Sequence, residues 1–258
     1  MHPFKLETYR QMLESINKAR RVIRYSEIDE HHEFVLWRHD CDMSLNRALI
    51  IAETDARYGV QSTFFINPHS EFYNILEKQQ LQIIRDIISL GHDIGLHLDA
   101  SYHQHGRDEF RIEESIHKDV SILNLLMEVK IEAFSFHNPS QEILGLDDYK
   151  YAGLINCYSQ TLKNSVTYCS DSNGYWRYQP IPEVLGDKSN KRLQILTHPE
   201  WWLEEDTLPR NRVLRCVYGR AIKQMEMYDR ELERHSDRQN LKFSDDAKND
   251  YMKAVEVL

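Results

Sequence analysis

The chain has 258 residues, of which 41% are hydrophobic, and its formal net charge is -9. A chain of this length and composition can bury one sizeable core, as a single α/β domain does. The negative charge leaves no basic stripe to neutralise phosphates, so the composition argues against a nucleic-acid-binding protein.

The cysteines and the apolar segments bear on the cellular compartment. The four cysteines are widely spaced and form no CxxC pair, a pattern that favours free thiols in a reducing compartment. The first ten residues contain no apolar segment typical of a secretory signal. No stretch reaches the roughly 18 apolar residues of a membrane helix. These features predict a cytoplasmic protein without a membrane span.

Strand-like and helix-like segments alternate along most of the chain. Apolar residues at helical spacing predict an N-terminal helix over 5–24, and a further helix near 146–153. After Pro209 the sequence is strongly charged and predicts helices. The predicted strands, in chain order, are 34–42, 62–67, 93–99, 133–137, short segments near Cys157 and Tyr168, and 193–197. Between them, helices are predicted at 44–59, 76–90 and 108–129.

This alternation predicts a parallel sheet that is either closed into a barrel or doubly wound. In a parallel barrel the carboxyl ends of all strands meet at one rim, where the catalytic loops lie. Asp40 and Asp42 project to the same side of their strand, where a cation would relieve the repulsion between them. The candidate residues at predicted strand ends are Asp40, Asp42, His97, His137 and His198. We therefore expect them to converge on a metal at one rim.

Six short motifs follow one another along the chain: RHDCD (38–42), STFF (62–65), GHDIGLH (91–97), FHNP (136–139), Asp171 with Trp176, and LTH (196–198). In this order they resemble the polysaccharide deacetylases with NodB homology (carbohydrate esterase family 4), and most of all the branches of surface-polysaccharide biosynthesis.

The resemblance implies a distorted (β/α) barrel of about seven parallel strands, with additional N- and C-terminal helices. It also implies a divalent metal, usually zinc. We predict one domain over 1–258, with a core at about 33–203 and a C-terminal helical region at 210–258.

The resemblance also implies roles for individual residues. Asp42 and His97 match metal ligands, and Asp40 matches the aspartate that acts as general base. His198 matches the histidine that acts as general acid, and Asp171 would orient it through a carboxylate–imidazole hydrogen bond.

Three aromatic residues are candidates for contact with substrate. Trp176 matches the residue that walls the acetyl pocket. Trp201 and Tyr175 could stack on a pyranose ring, because aromatic faces suit the apolar faces of sugars.

The third metal ligand departs from the family pattern. Four residues after His97 the family has a second histidine, whereas this chain has Ser101. We favour His137 as the third ligand, because it ends a strand and would share the rim. The alternatives are His103, His105 and Asp99.

The function that the resemblance implies is metal-dependent removal of an acetyl group, N-acetyl in preference to O-acetyl, from a sugar or sugar conjugate in surface-polysaccharide metabolism. Zinc would acidify water and polarise the carbonyl, with one residue acting as base and another as acid.

Two alternatives stay open. The absent second histidine favours an inactive barrel that binds a glycan or a protein; the other alternative is a metal-dependent amidohydrolase acting on a non-sugar C–N bond. A carbohydrate is the predicted partner, and the C-terminal helices either pack on the barrel or form a homodimer contact.

Overall fold

The computed structural model describes residues 4–30, 32–106, 109–177, 179–235 and 244–256. The chain forms two compact units, Met1–Asp206 and Thr207–Leu258, which are described separately. Among the helices of the described ranges, none combines the length and the apolar character needed to cross a bilayer.

The first unit is built on one eight-stranded sheet with the strand order β5-β6-β4-β3-β2-β1-β8-β7. Seven strands pair in parallel, and β5 is antiparallel to β6. The structure therefore confirms the predicted distorted barrel of about seven parallel strands. The strands are β1 (Phe34–Cys41), β2 (Thr63–Ile66), β3 (Asp93–Leu98), β4 (Ala133–Phe136), β5 (Lys150–Tyr151), β6 (Leu154–Asn156), β7 (Thr167–Ser170) and β8 (Arg192–Thr197).

Helices connect most of these strands, as βα alternation requires. The helices of the first unit are α1 (Leu6–Ala19), α2 (Leu45–Arg57), α3 (Lys78–Ser89), α4 (Ala100–Gln104), α5 (Ile112–Met127), α6 (Gln141–Leu144), α7 (Gln160–Ser165) and α8 (Ile181–Gly186). Short 3-10 turns lie at Tyr25–Glu30, Ser172–Gly174 and Pro199–Trp201. Ser44 caps α2 by accepting a hydrogen bond from the Arg47 backbone N–H, as its position before the apolar periodicity predicts.

Two predicted helices differ from the structure. The N-terminal helix ends at Ala19 rather than near 24, because the following residues are extended and pair with β1: Ile23 N–H donates to Val35 O, and Val35 N–H to Arg21 O. The helix predicted near 146–153 is wrong. That segment is instead the hairpin β5–β6, whose turn at Ala152 and Gly153 has positive φ values of 49° and 83°. A two-residue turn of this kind suits the twist of paired strands.

The side chains of β1 alternate between the barrel interior and the surrounding helices. Phe34 and Leu36 belong to a buried apolar cluster that also includes Phe65 of β2. One layer higher, Arg38 is fully buried and its guanidinium lies 3.3 Å from the carboxylate of Asp40. The interior therefore changes from apolar to charged toward the carboxyl end of the strands.

Gly95 of β3 is required by the packing of this interior. A Cβ at Gly95 would lie 2.5 Å from the ring of Phe65, which is fully buried. We expect Gly95→Ala to lower the free energy of unfolding by about 1–3 kcal/mol, the usual cost of overpacking, as measured by urea denaturation. Gly186→Ala is the matched control, because a Cβ there meets no atom within 4 Å. An unchanged stability of Gly95→Ala would contradict this packing.

The second unit consists of α9 (Pro209–Arg234) and α10 (Asp245–Glu256). Both confirm the helices predicted after Pro209, while 236–243 and 257–258 of the predicted helical region lie outside the described residues. The predicted single domain and the homodimer contact through these helices stay predictions.

Candidate metal centre and catalytic site

Five predicted site residues come from five different strands of the sheet and lie at or just beyond their carboxyl ends. Asp42 follows β1, His137 follows β4, Asp171 follows β7 and His198 follows β8, while His97 is the penultimate residue of β3. Because these strands are parallel, the five side chains reach the same rim of the sheet.

Three of these residues bring their ligand atoms into a small triangle. His97 Nε2 lies 2.9 Å from Asp42 Oδ1, His137 Nδ1 lies 3.2 Å from the same oxygen, and the two nitrogens are 3.1 Å apart. Ligands at zinc bond lengths of about 2.0–2.1 Å in a tetrahedron lie about 3.4 Å from one another. One carboxylate and two imidazoles at these separations therefore fit a divalent cation such as zinc.

A hydrogen bond to the second ring nitrogen of His97, Nδ1, holds the imidazole in place. His97 Nδ1 lies 2.7 Å from Ser135 Oγ, and the Ser135 hydroxyl in turn donates to Asp40 Oδ1 at 3.3 Å. The carboxylate of Asp40 is almost fully buried and also accepts from Arg38. Such a supporting layer fixes the orientation of a ligand histidine.

The other candidates for the third ligand, Asp99, His103 and His105, do not belong to this triangle. The Asp99 side chain caps α4 by accepting from Tyr102 N–H, and it also accepts from Ser101 Oγ. His103 Nε2 is 2.9 Å from Asp119 Oδ2. The side chain that completes the triangle with Asp42 and His97 is that of His137, which the sequence analysis favoured.

We expect His137→Ala to weaken zinc binding by about 100-fold or more, because even a residue that only supports a ligand is worth 10- to 100-fold in affinity. The measurement is competition with a chromophoric chelator. Ser101→Ala is the matched control and is expected to leave the affinity unchanged, since Ser101 occupies the position of the family's second histidine but contacts Asp99. Equal weakening in the two variants would contradict the assignment.

His198 lies beside the triangle and is oriented by Asp171. His198 Nδ1 is 2.6 Å from Asp171 Oδ1, and the same carboxylate accepts the His198 backbone N–H and, at 2.8 Å, the indole N–H of Trp202. His198 Nε2 faces Asp42, with 3.8 Å between it and Oδ2. The imidazole therefore presents its second nitrogen to the metal centre.

The charges of the site shift the pKa values of its members. Burial alone would lower the pKa of His198, but the hydrogen bond and charge of Asp171, together with Asp42, raise it to about 10. Burial alone would raise the pKa of Asp42, but hydrogen bonds from His137 and His97 hold it well below its usual range. These shifts favour the ionised form of Asp42 and the protonated form of His198.

A cavity of about 700 Å³ opens over this rim. Trp176, Trp201 and Tyr175, the aromatic residues predicted to contact substrate, are not among the described residues that line it. Trp176 stacks on Phe4 with ring centroids 4.8 Å apart, Trp201 is buried and Tyr175 is half-exposed. Their substrate contacts stay predictions. The lining residues are Asp42, Asn67, His69, Ser70, Glu71, Phe72, Asp99, Ser101, Tyr102, His103, His105, His137 and Asn138.

Two features of this region were missed by the sequence analysis. Glu200 is only 1% exposed, and neither of its carboxylate oxygens has a hydrogen-bond partner among the described residues. Burial and the charge of Asp42 raise the pKa of Glu200, although His198 opposes the shift. Its place two residues after His198 was the one available signal. The second feature is a cluster of His69, His103 and Asp119.

No family model and no curated protein matches the chain. Solved structures that match include a carbohydrate esterase family 4 domain of a xylanase from the hindgut metagenome of Trinervitermes trinervoides (13% identity, 75% of this chain and 85% of that one, TM-score 0.43). A family 4 acetyl xylan esterase from Clostridium thermocellum, in complex with a cobalt ion, matches at 15% identity over 74% and 84% of the chains (TM-score 0.40).

A mutant of a family 4 pseudoenzyme from Bacillus anthracis, with restored enzymatic activity, matches at 14% identity. The match covers 74% of this chain and 63% of the mutant, with a TM-score of 0.43. These structures belong to the family whose motifs the sequence resembles. At such low identities and TM-scores, these matches carry no information about the function of this chain.

Proposed function

We propose that the chain is a metal-dependent hydrolase that removes an acetyl group, N-acetyl in preference to O-acetyl, from a sugar or sugar conjugate of surface-polysaccharide metabolism. The observation that carries the proposal is the triangle of Asp42, His97 and His137, with His198 and Asp171 beside it at the same rim. The absent second histidine favoured an inactive barrel, but His137 offers a third donor atom at Asp42.

Asp42, His97 and His137 would hold the cation. When bound, zinc supplies Lewis acidity toward an acyl oxygen and toward water. The chain itself must then supply a proton acceptor for the attacking water and a proton donor for the leaving group.

His198 is suited to act as the donor. With its Nδ1 held by Asp171, the proton it can release is on Nε2, which faces Asp42. A sugar amine is a poor leaving group unless it receives a proton, so a histidine that stays protonated at neutral pH matches this need.

Asp40 is the proposed proton acceptor. It lies one layer below the triangle, and Arg38 places a positive charge beside its carboxylate. A carboxylate placed next to the metal ligands is a group of the kind that accepts a proton in general base catalysis.

The test is acetate release from N-acetylhexosamine oligomers and from O-acetylated xylan, by the full chain stripped of metal and then reloaded with zinc. We expect release that depends on zinc and is faster with the N-acetyl substrates. Asp40→Asn should lower kcat by about 10²- to 10⁴-fold, the usual contribution of a general base, while retaining its metal. If Asp40→Asn loses zinc together with activity, Asp40 only positions His97 through Ser135. If none of these substrates releases acetate, the sugar deacetylase proposal is wrong.

A further inference from the structure

A second group of metal-ligating side chains lies apart from the triangle of Asp42, His97 and His137. His69 follows β2, His103 lies in α4 and Asp119 lies in α5, and their ligand atoms all lie within 4.8 Å of one another. The group has the same composition as the first one: two imidazoles and one carboxylate.

The distances from the imidazole nitrogens to the carboxylate are similar to those of the first group, although each imidazole here contacts a different carboxylate oxygen. His69 Nε2 lies 2.7 Å from Asp119 Oδ1, and His103 Nε2 lies 2.9 Å from Asp119 Oδ2. Each imidazole therefore turns one ring nitrogen toward the same carboxylate. Imidazole and carboxylate together suit zinc, whose ligand atoms lie within a few ångströms of one another.

The carboxylate of Asp119 is fully buried. Among the described residues its ion-pair partners are His69 and His103, and no lysine or arginine of those residues pairs with it. A buried charge is costly unless it is paired or binds a metal. Hydrogen bonds and charge from His103 and His69 lower the pKa of Asp119 against the effect of burial. A divalent cation would supply both a charge for this carboxylate and a centre for the three donors.

The two histidines are held in place before any ligand arrives. The His69 ring stacks on Tyr102 with centroids 3.6 Å apart, and its backbone N–H donates to Asn67 Oδ1. His103 lies in α4, the short helix whose N-terminus is capped by Asp99. Rigid support of this kind is what metal ligands require.

His69 and His103 also line the cavity of about 700 Å³ that Asp42 and His137 line. A cation held by the second group would therefore have a coordination position open to the cavity. We propose that His69, His103 and Asp119 form a second divalent-cation site, suited to zinc, in the cavity of the first. The proposal does not rest on the proposed function, because it concerns binding alone.

The experiment measures zinc per chain. The full-length protein is stripped with a chelator, reloaded with zinc, desalted and assayed by elemental mass spectrometry. We expect two zinc ions in the natural sequence, one in Asp42→Ala, one in Asp119→Asn and none in the double variant. His117→Gln is the matched control with two ions expected, since His117 is exposed on the same helix as Asp119.

The Asp42→Ala variant keeps the proposal falsifiable even if Asp119→Asn fails to fold, because it leaves the second group intact. One zinc ion that Asp42→Ala retains, and that gives cobalt absorption bands after exchange, supports the site. One ion in the natural sequence and none in Asp42→Ala would overturn it and would leave Asp119 as a purely hydrogen-bonded link between α4, α5 and the loop after β2. Two ions retained by Asp119→Asn would overturn it as well.

Discussion

Asp42→Ala is expected to lose both the zinc ion of the first site and essentially all hydrolysis. Asp42 Oδ1 contacts both His97 Nε2 and His137 Nδ1, so its removal leaves two imidazoles without an anionic ligand. A bound metal contributes several kcal/mol of transition-state stabilisation, and each 1.36 kcal/mol is tenfold in rate. We therefore expect kcat/KM for acetate release to fall by about 10³-fold or more.

Glu71→Ala is the control for zinc content, because Glu71 is an exposed carboxylate that lines the same cavity. It should keep the zinc content of the natural protein. If Asp42→Ala retains both its metal content and its rate, the metal centre does not lie where we place it.

Asp171→Asn is expected to slow the reaction and to move its alkaline limit to lower pH. Asp171 is the main cause of the raised pKa of His198, which reaches about 10 against the cost of burial. A general acid works in its protonated form, below its pKa. When the carboxylate becomes a neutral amide, the pKa of His198 falls, and activity is lost at a lower pH than in the natural protein.

The expected loss in kcat is about 10²- to 10³-fold at neutral pH, within the range for a general acid. A cation bound at Asp42 offsets the negative charge that helps to raise the pKa of His198. The alkaline limb of the zinc-loaded protein, which is the fall in its activity at high pH, therefore lies below pH 10. Full pH–rate profiles measure both effects, and zinc content serves as the control, since Asp171 is not a proposed ligand. His198→Gln should abolish the limb altogether. An alkaline limb that stays in place in Asp171→Asn would contradict the role of His198.

Much of the fold could be predicted, because its elements have local signals. The β-branched and aromatic strand of Phe34–Cys41, the Ser44 cap and the amphipathic helices after them follow from period and composition. The carboxyl ends of parallel strands then place Asp42, His97 and His137 together, although 95 residues separate the first from the last. This inference needs only topology, not the pairing of particular side chains.

Other features carry no local signal. His69 and Asp119 are 50 residues apart. His69 lies in the loop after β2, and Asp119 lies inside the helix α5. The convergence of parallel strand ends, which located the first group, therefore does not predict that these two residues meet. The burial of Glu200 depends on how the turn after β8 packs, which no periodicity reveals. The prediction of a helix near 146–153 was wrong for a different reason. The two strands of the hairpin that lies there are too short to show alternation. In addition, an alanine such as Ala152 rarely adopts the left-handed conformation found at this turn.

The hydrogen bonds below the metal centre determine that the Nδ1 nitrogen of His97 carries a proton. Because the Ser135 hydroxyl donates to Asp40, it can only accept from His97, so the imidazole carries its proton on Nδ1. When a cation takes the place of the hydrogen bond between His97 and Asp42, the proton on Nδ1 leaves the lone pair of Nε2 to the cation, and Arg38 holds the far end of this relay through Asp40. An ion pair deep inside the barrel is thus linked, through one hydroxyl group, to the orientation of the ring that an incoming cation meets at its mouth.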